Sequence, residues 1–282
     1  MEQVLRVAFL GPIATFSHEA ALKRFDTGNN EVRYMPVKTI AEVFQVVERG
    51  QADFGIVPVE NSIEGAVTYT LDTFGRSELK IVADFELQIR EHLMVAAGGP
   101  ADLSAIKLVY SHPQPLAQCR GWLKDNLNWA ETQEVSSTAA AAELVVKRPD
   151  AAAIAGPLVA QQYHMQILRE DIQDSDFNYT RFLVIGPEYA ARPPKDKRGQ
   201  EKTALMLSIK DRVGALHAVT STMFKYDLNM TRIESRPSKQ KAWDYVFFID
   251  VSGHPQDSAM AQALNELATE TVWVKVLGAW SR

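Results

Sequence analysis

Short runs rich in Val, Ile and aromatic residues alternate with segments of helical periodicity over the first two thirds of the chain. This alternation restricts the fold more than any other feature of the sequence. The predicted strands are 5–10, 32–37, 54–59, 106–110 and 152–155, and the predicted helices are 15–25, 40–48, 63–74, 116–126 and 139–147. Such a pattern predicts an α/β architecture, with parallel or mixed sheets flanked by helices.

Residues 79–97 are too many for one ordinary strand and carry no helical stripe, so we interpret them as two extended pieces that leave a first sheet. Residues 181–185 predict a strand that returns to it. The sequence therefore predicts two lobes joined by crossing strands, with a cleft between them. The first lobe takes about 1–86 plus 178–187, and the second takes about 87–177.

A different kind of domain follows a polar stretch. Residues 188–202 contain paired prolines and mixed charges, which is typical of a solvated linker. After it the pattern predicts strand 203–209, helix 214–226, strand 228–235, strand 244–251, helix 257–269 and strand 272–277. That βαββαβ order is the ferredoxin-like sandwich. We therefore expect a first domain at 1–187 and a second at 203–282.

Composition excludes several classes of protein. The 282 residues are 46% hydrophobic and 23% charged, as in an average globular protein. The net charge is −5 and no basic run is long enough to follow a phosphate backbone, so nucleic acid is not an expected partner. The longest clean apolar run, 151–160, has ten residues and is too short to span a bilayer, so no membrane is expected.

The sequence also lacks the signs of a metal site or an exported protein. Cys119 is the single cysteine and cannot form an internal disulfide, and the six histidines fall at no spacing suited to one metal ion. No motif for dinucleotides, phosphate loops or serine hydrolases is present. The first sixteen residues have no charged signal-peptide region. We expect a cytoplasmic protein without a metal or cofactor.

Polar clusters stand at the ends of three predicted strands, each interpreted as opening a helix. They are Asn61-Ser62-Ile63-Glu64-Gly65, Ser111-His112-Pro113-Gln114 and Ser136-Ser137-Thr138. Ligands of open α/β sheets lie beyond the carboxyl ends of the strands, where helix N-termini offer N–H groups to anions. The clusters therefore favour an anionic small molecule, although simple N-capping explains each one taken alone.

A fourth cluster, 178–182, reads N-Y-T-R-F and falls where the chain returns to the first lobe. Thr180 and Arg181 are acceptable as ordinary strand residues. At a crossover between lobes they could instead offer a hydroxyl and a guanidinium to a bound ligand.

The four clusters, with three further motifs, resemble those of the prephenate dehydratase family, in the family's order. The motifs are G-P-I-A-T-F-S-H-E-A at 11–20, G-I-V-P-V-E-N-S-I-E-G at 55–65, S-H-P-Q-P-L-A-Q-C at 111–119, S-T-A-A-A-A at 137–142 and N-Y-T-R-F at 178–182. G-A-L-H at 214–217 and E-S-R-P at 234–237 resemble the two motifs of the phenylalanine-binding ACT domain of these enzymes. Ala14 departs from a usual glycine, and Pro115 from a common alanine.

The resemblance implies a periplasmic-binding-protein-like catalytic domain and a hydro-lyase that converts prephenate to phenylpyruvate, water and carbon dioxide without a cofactor or metal. Thr180 would hydrogen-bond or protonate the departing hydroxyl, and Arg181 would either orient Thr180 or pair with a carboxylate. The implied substrate-binding residues are Thr15, Phe16, Asn61, Ser62, Glu64, Ser111, His112, Gln114, Ser137, Thr138 and Phe182. Arogenate dehydratase and a non-catalytic two-lobed amino-acid sensor are the alternatives.

For the second domain the resemblance implies L-phenylalanine as effector. It would bind between Gly214, Ala215, Leu216 and His217 of one chain and Glu234, Ser235, Arg236 and Pro237 of a partner. We therefore expect a homodimer or a dimer of dimers. Because the sequence begins directly at the first predicted strand, we expect a monofunctional enzyme, without the helical chorismate mutase domain fused to some relatives.

Overall fold

The computed structural model describes residues 4–26, 28, 31–188, 190–197, 199–239 and 244–281. Its strands are β1 (Leu5–Leu10), β2 (Val32–Val37), β3 (Phe54–Asn61), β4 (Gly65–Ala66), β5 (Lys80–Gln88), β6 (His92–Ala96), β7 (Leu108–Ser111), β8 (Glu131–Glu134), β9 (Ala151–Ala155), β10 (Met165–Arg169), β11 (Tyr179–Gly186), β12 (Glu201–Ile209), β13 (Met230–Pro237), β14 (Tyr245–Ser252) and β15 (Thr271–Ser281). Its α-helices are α1 (Phe16–Phe25), α2 (Ile40–Glu48), α3 (Thr68–Phe74), α4 (Pro113–Gln118), α5 (Arg120–Asn126), α6 (Thr138–Val145), α7 (Pro157–Gln162), α8 (Ala215–Lys225) and α9 (Ser258–Glu270). None of the helices described is long and apolar enough to cross a membrane.

Contacts divide the chain into two compact units. The first unit comprises Met1–Val43, Ile56–Gly65 and Glu86–Phe182. The second comprises Phe44–Gly55, Ala66–Phe85 and Leu183–Arg282. The chain therefore passes from one unit to the other within β3, β5 and β11. The domain and lobe boundaries predicted from the sequence, including the linker at 188–202, stay a prediction.

The first unit contains a five-stranded sheet in the order β10-β6-β9-β7-β8. Strands β8 and β9 run parallel to β7, whereas β6 runs antiparallel to β9 and β10. All five residues of β9 are buried, because alternate side chains enter two cores. Ala151, Ala153 and Ala155 join one core with α6 and α7, and Ala152 and Ile154 join the other with Leu123 of α5. The mixed sheet flanked by helices confirms the predicted α/β class.

One predicted helix start in this unit is wrong. Residues 63–74 were expected to form a helix directly after Asn61, but α3 begins only at Thr68. Asn61 Oδ1 accepts hydrogen bonds from the backbone N–H groups of Ile63 and Glu64, both at 3.0 Å. An asparagine that bonds its own backbone in this way stabilises a turn in competition with a helix.

The predicted helix 116–126 is divided into α4 and α5 at Cys119. The Asp174 carboxylate accepts from the backbone N–H groups of Gly121 and Trp122, at 2.8 and 2.9 Å. A carboxylate at a helix start satisfies N–H groups that have no partner within the helix. This interaction marks α5 as a separate helix with its own N-terminus.

Within the second unit, the last strands form an antiparallel sheet in the order β13-β14-β12-β15. The helices α8 and α9 cover one face through a core that includes Leu205, Leu207, Val219, Ile249 and Leu267. The βαββαβ order predicted for residues 203–282 is confirmed.

The opposite face of that sheet contacts the segment Ala66–Phe85. Met206 alternates with Leu205 and Leu207 along β12, so its side chain faces away from the helices. A Cβ atom at Gly75 would lie 3.3 Å from Met206 Cε. Lys275, which pairs with Met206 across the strands, donates to the Ser77 carbonyl at 2.8 Å. The turn after α3 therefore runs across this face.

Two contacts attach β15 to β5. Gly278 pairs with Ile81 in parallel register, and a Cβ atom at position 278 would lie 2.1 Å from the Ile81 carbonyl oxygen. Only glycine allows two backbones to approach this closely. Nearby, Trp280 Nε1 donates to Asp84 Oδ1 at 2.7 Å, and both residues are buried.

Candidate active site

Asn61 is the centre of the strongest polar cluster in the first unit. Its carbonyl oxygen accepts from the N–H groups of Ile63 and Glu64, which fixes the orientation of the amide. The amide nitrogen therefore points to the opposite side, where it donates to Thr180 Oγ1 at 2.9 Å and to Asn178 Oδ1 at 2.8 Å. Thr180 Oγ1 is the acceptor in this bond, and no hydrogen bond donated by the Thr180 hydroxyl occurs among the described residues, so its proton can serve a ligand.

A chain of amides continues from Asn61. Asn178, which is 1% exposed, donates through Nδ2 to Gln118 Oε1 at 3.0 Å. Gln118 Nε2 in turn donates to the Glu64 carboxylate at 3.3 Å. Each amide fixes its neighbour, so the position of the Thr180 hydroxyl depends on groups from β3, α4 and β11.

Ser62 connects the same two chain segments through its hydroxyl and its backbone. Its hydroxyl donates to the Phe177 carbonyl at 2.6 Å and accepts from the Tyr179 N–H at 2.9 Å. Its backbone N–H donates to the Tyr179 carbonyl at 2.8 Å. Of the predicted site residues, Asn61, Ser62, Glu64 and Thr180 are therefore brought together.

The second group of predicted residues lies at the carboxyl ends of adjacent parallel strands. Ser111 ends β7, and its register partner Glu134 ends β8 three residues before Ser137. His112 caps α4, accepting through Nδ1 from the Gln114 N–H at 3.3 Å. Ser137 caps α6, whose first residue is Thr138, by accepting from the Ala140 N–H at 3.0 Å.

Helix α4 connects the two groups, because His112 stands at its start and Gln118 at its end. Six residues at 1.5 Å each span about 9 Å. The capping bonds occupy some of the helix N–H groups, so the alternative of simple N-capping stays open for His112 and Ser137.

Thr15 and Phe16 stand at the start of α1. Thr15 caps this helix and donates to the carbonyls of Leu10 and Pro12 at 3.2 and 3.0 Å. Phe16 packs on Gly156, which follows β9: a Cβ atom at that glycine would lie 2.7 Å from the phenyl ring. The ring therefore lies at the same strand ends as Ser111 and Ser137.

Ala14, where the sequence departs from the family's usual glycine, adopts a left-handed backbone with a φ of 64°. This conformation costs an alanine about 1–2 kcal/mol relative to glycine. Its N–H donates to His18 Nδ1 at 3.0 Å, and burial lowers the pKa of that histidine. The neutral ring is therefore favoured as the acceptor.

Two of the predicted ligand residues are fully enclosed. Ser111 donates to the Ile154 carbonyl at 2.6 Å and is 0% exposed, and the Phe182 side chain is 1% exposed. Both positions are accounted for by packing, and their ligand-binding roles stay predictions. Arg181 is half-buried beside Thr180.

Glu91 is a buried carboxyl group that no sequence motif singles out. It is 1% exposed, and neither carboxyl oxygen has a hydrogen-bond partner among the described residues. Burial, followed by the nearby charge of Glu19, raises its pKa to about 8. Burial also raises the pKa of Glu19. Glu91 is therefore uncharged over most of the neutral range.

The second unit has a cavity of about 370 Å³ at the start of α8. It is lined by all four residues of the G-A-L-H motif, together with Ile209, Asp244, Tyr245 and Phe247 and other neighbours. Gly214 has a φ of +79° and immediately precedes the first residue of the helix. Its lining is mixed, because Lys210, Asp211, Arg212 and Asp244 lie beside the apolar side chains, and its size suits a small-molecule ligand.

The E-S-R-P motif forms the end of β13, the outer strand of its sheet. Glu234 and Arg236 are half-buried on one side of the strand, whereas Ser235 and Pro237 are exposed on the other. Among the described residues, none of these four lines the 370 Å³ cavity of the same chain.

No group of three or more His, Cys, Asp or Glu residues able to hold a metal ion occurs within the ranges described. The site instead consists of amides, hydroxyls and helix N-termini.

An α/β fold with a cluster of amides and hydroxyls, followed by a βαββαβ module with a cavity, fits the class of small-molecule enzymes that carry a separate ligand-binding module. The model of the family "Prephenate dehydratase" matches residues 7–190, and that of the "ACT domain" matches residues 203–269. The chain belongs to the prephenate dehydratase family, whose members are hydro-lyases.

Proteins similar to this chain in sequence, and a solved structure similar to it in fold, are named as members of the same family. The chain is 44% identical to the bifunctional chorismate mutase/prephenate dehydratase of Aquifex aeolicus, over all of this chain and 75% of that protein. It is 33% identical to the prephenate dehydratase of Bacillus subtilis, over 98% of each chain. The solved prephenate dehydratase of Arthrobacter aurescens in complex with L-Phe is 34% identical, with a TM-score of 0.87 over 99% of this chain and 90% of that one.

Proposed function

We propose that Thr180 is the hydroxyl donor for the decarboxylating dehydration of prephenate to phenylpyruvate, and that the enzyme acts in the cytoplasm. The observation that carries the catalytic role is the bond from Asn61 Nδ2 to Thr180 Oγ1, which positions the hydroxyl as an acceptor toward Asn61, while no described residue accepts its proton. In the reaction the ring C–O bond breaks and hydroxide departs. The electron pair of the bond to the ring carboxylate enters the ring, which becomes aromatic as carbon dioxide leaves.

Thr180 stabilises the departing oxygen by a hydrogen bond that strengthens as negative charge develops on it. A threonine hydroxyl is a very weak acid, so the net proton that converts hydroxide to water comes from solvent. The helix starts at Ser137 and His112 are suited to the two substrate carboxylates. Arg181 supplies the one positive charge of the N-Y-T-R-F cluster. It either orients Thr180 or pairs with a substrate carboxylate.

The direct test measures the turnover of prephenate and of arogenate, each at the same concentration and with the same enzyme preparation. Prephenate carries a keto group on its side chain at the position where arogenate carries an amine. We expect a higher kcat/KM for prephenate. A higher kcat/KM for arogenate would make arogenate the substrate and leave the proposed mechanism unchanged. Tight binding of an aromatic amino acid, with no turnover of prephenate or arogenate, would instead identify a non-catalytic sensor.

We further propose feedback regulation by L-phenylalanine bound at the cavity at the start of α8. The αL glycine at 214 exposes N–H groups to an amino-acid carboxylate, and Phe247 and Ile209 offer apolar surface to the ring. At 100 times its dissociation constant a ligand stabilises the folded protein by about 2.7 kcal/mol. We expect phenylalanine to raise Tm by several degrees and to lower activity, and leucine at the same concentration serves as the control.

The E-S-R-P residues would complete this site from a second copy of the chain. Ser235 and Pro237 are exposed on the outer strand of the sheet, whose unpaired edge can meet another copy. We therefore propose a homodimer, or a dimer of dimers, paired through residues 203–282. Light scattering at micromolar concentration is expected to give at least twice the 31.4 kDa chain mass, and a mass of one chain would contradict the pairing.

A further inference from the structure

Asp72 lies on α3 and pairs with a residue of the E-S-R-P motif. Its carboxylate is 3.8 Å from Arg236 Nε and 2.5 Å from Lys239 Nζ. The Asp72 and Arg236 side chains are only 22% and 23% exposed, whereas Lys239 is 57% exposed. Lys239 is the hydrogen-bonded partner of Asp72, whereas the pair with Arg236 is an ion pair at 3.8 Å without a hydrogen bond. The pair with Arg236 is nevertheless the shielded one, and exposed ion pairs contribute little.

The strand pairing places this contact on a definite face of the sheet. Arg236 is the register partner of Val246, which alternates along β14 with Phe247 of the helix-side core. Arg236 thus points away from α8 and α9, to the face on which Gly75 meets Met206. Ser235 and Pro237 point to the other face. One strand therefore presents two residues to a ligand site and a third to α3.

Helix α3 is also close in the chain to the candidate active site. It begins at Thr68, three residues after Gly65, which ends the turn that starts at Asn61. Residues 66–67 alone separate α3 from the turn whose asparagine bonds Thr180. Through Asp72, the E-S-R-P strand therefore contacts the helix that follows this turn in the chain.

We propose that Asp72 is the residue that couples occupation of the phenylalanine site to activity, by holding α3 to Arg236 of the E-S-R-P strand. This inference rests on the proposed regulation by phenylalanine. Asp72 itself touches neither ligand and acts by positioning α3.

The test compares full-length wild type with Asp72→Asn, which keeps the size of the side chain and removes its charge. We expect Asp72→Asn to bind phenylalanine within about threefold of wild type by calorimetry, and to keep its basal kcat. The concentration that half-inhibits prephenate turnover is expected to rise at least fivefold, the lower range of ordinary allosteric coupling. An unchanged inhibition curve would overturn the proposal.

Two matched controls separate coupling from loss of surface charge. Lys239→Gln removes the exposed partner of Asp72 and leaves Arg236, and Glu78→Gln removes an exposed ion pair to Lys275 on the same sheet face. Both variants are expected to retain wild-type feedback, and loss of feedback in Glu78→Gln would also count against Asp72. Wild type that neither binds nor responds to phenylalanine would overturn the proposed regulation itself, and this inference with it.

Discussion

Replacing Thr180 by valine is expected to lower kcat for prephenate by about 10² to 10³, because loss of one positioned donor to a developing oxyanion costs about 3–4 kcal/mol. Valine keeps the branched shape that suits β11. The loss should therefore fall on kcat more than on KM, since the hydrogen bond strengthens in the transition state. Steady-state kinetics with far-UV circular dichroism measures the loss and verifies the fold.

Thr180→Ser is the matched control, because it keeps the hydroxyl and frees its rotamer. We expect activity between those of wild type and Thr180→Val. A companion variant, Asn61→Asp, keeps the two turn-forming acceptor bonds but replaces the amide nitrogen that donates to Thr180. It should lower kcat as well. Turnover by Thr180→Val within about threefold of wild type would assign Thr180 a purely structural role and move the search to Ser62, Ser111, His112 and Thr138.

Glu91→Gln is expected to remove a large pH dependence of stability. The folded state holds the Glu91 proton up to a pKa of about 8, whereas the unfolded chain releases it near the ordinary glutamate pKa of 4.5. Between these values the folded state binds more protons, so the free energy of unfolding falls as the pH rises, and levels off above about 8. The Glu91 contribution to this fall reaches ~4 kcal/mol at pH 8, at 1.36 kcal/mol per pKa unit.

The measurement is urea unfolding of wild type and Glu91→Gln at pH 5, 6.5 and 8. The difference in unfolding free energy between the two should move steadily in favour of the variant as the pH rises. His18 and His92, whose pKa values are lowered by burial, are present in both proteins, so the difference reports mainly the carboxyl group at position 91 and its interaction with Glu19. A difference that stays constant with pH would contradict the buried, protonated state of Glu91.

Features that depend on neighbouring residues in the chain could be predicted from the sequence, whereas features that depend on distant residues could not. The βαββαβ order, β1, β2 and α2 follow from periodicity over a few residues, and their predicted bounds agree with the structure within a few residues. β8 was not predicted, because E-T-Q-E is exposed at all four positions and has no apolar alternation. The helix expected at Ile63 failed because one side chain, Asn61, bonds the backbone two and three residues ahead.

In the candidate site, too, the local motifs were predicted and the contacts between distant residues were not. N-Y-T-R-F and N-S-I-E-G were selected from the sequence, yet nothing in either motif indicates that Asn61 would bond Thr180, 119 residues away. Gln118 was missed although it belongs to the S-H-P-Q-P-L-A-Q-C motif, because its partners Asn178 and Glu64 come from other elements. Glu91 stands between Arg90 and His92 in a polar triplet, where burial is a property of tertiary packing alone.

The backbone contact between Gly278 and Ile81 limits how this enzyme can exchange parts with its relatives. A regulatory module transplanted onto this chain fits against β5 only if it brings a residue without a side chain at the position of Gly278, since any Cβ atom there would overlap the Ile81 carbonyl. Modules can therefore be sorted for compatibility at one residue before any chimera is made. Gly278→Ala adds a single methyl group at this contact, and its effect therefore tests whether β15 and β5 remain paired.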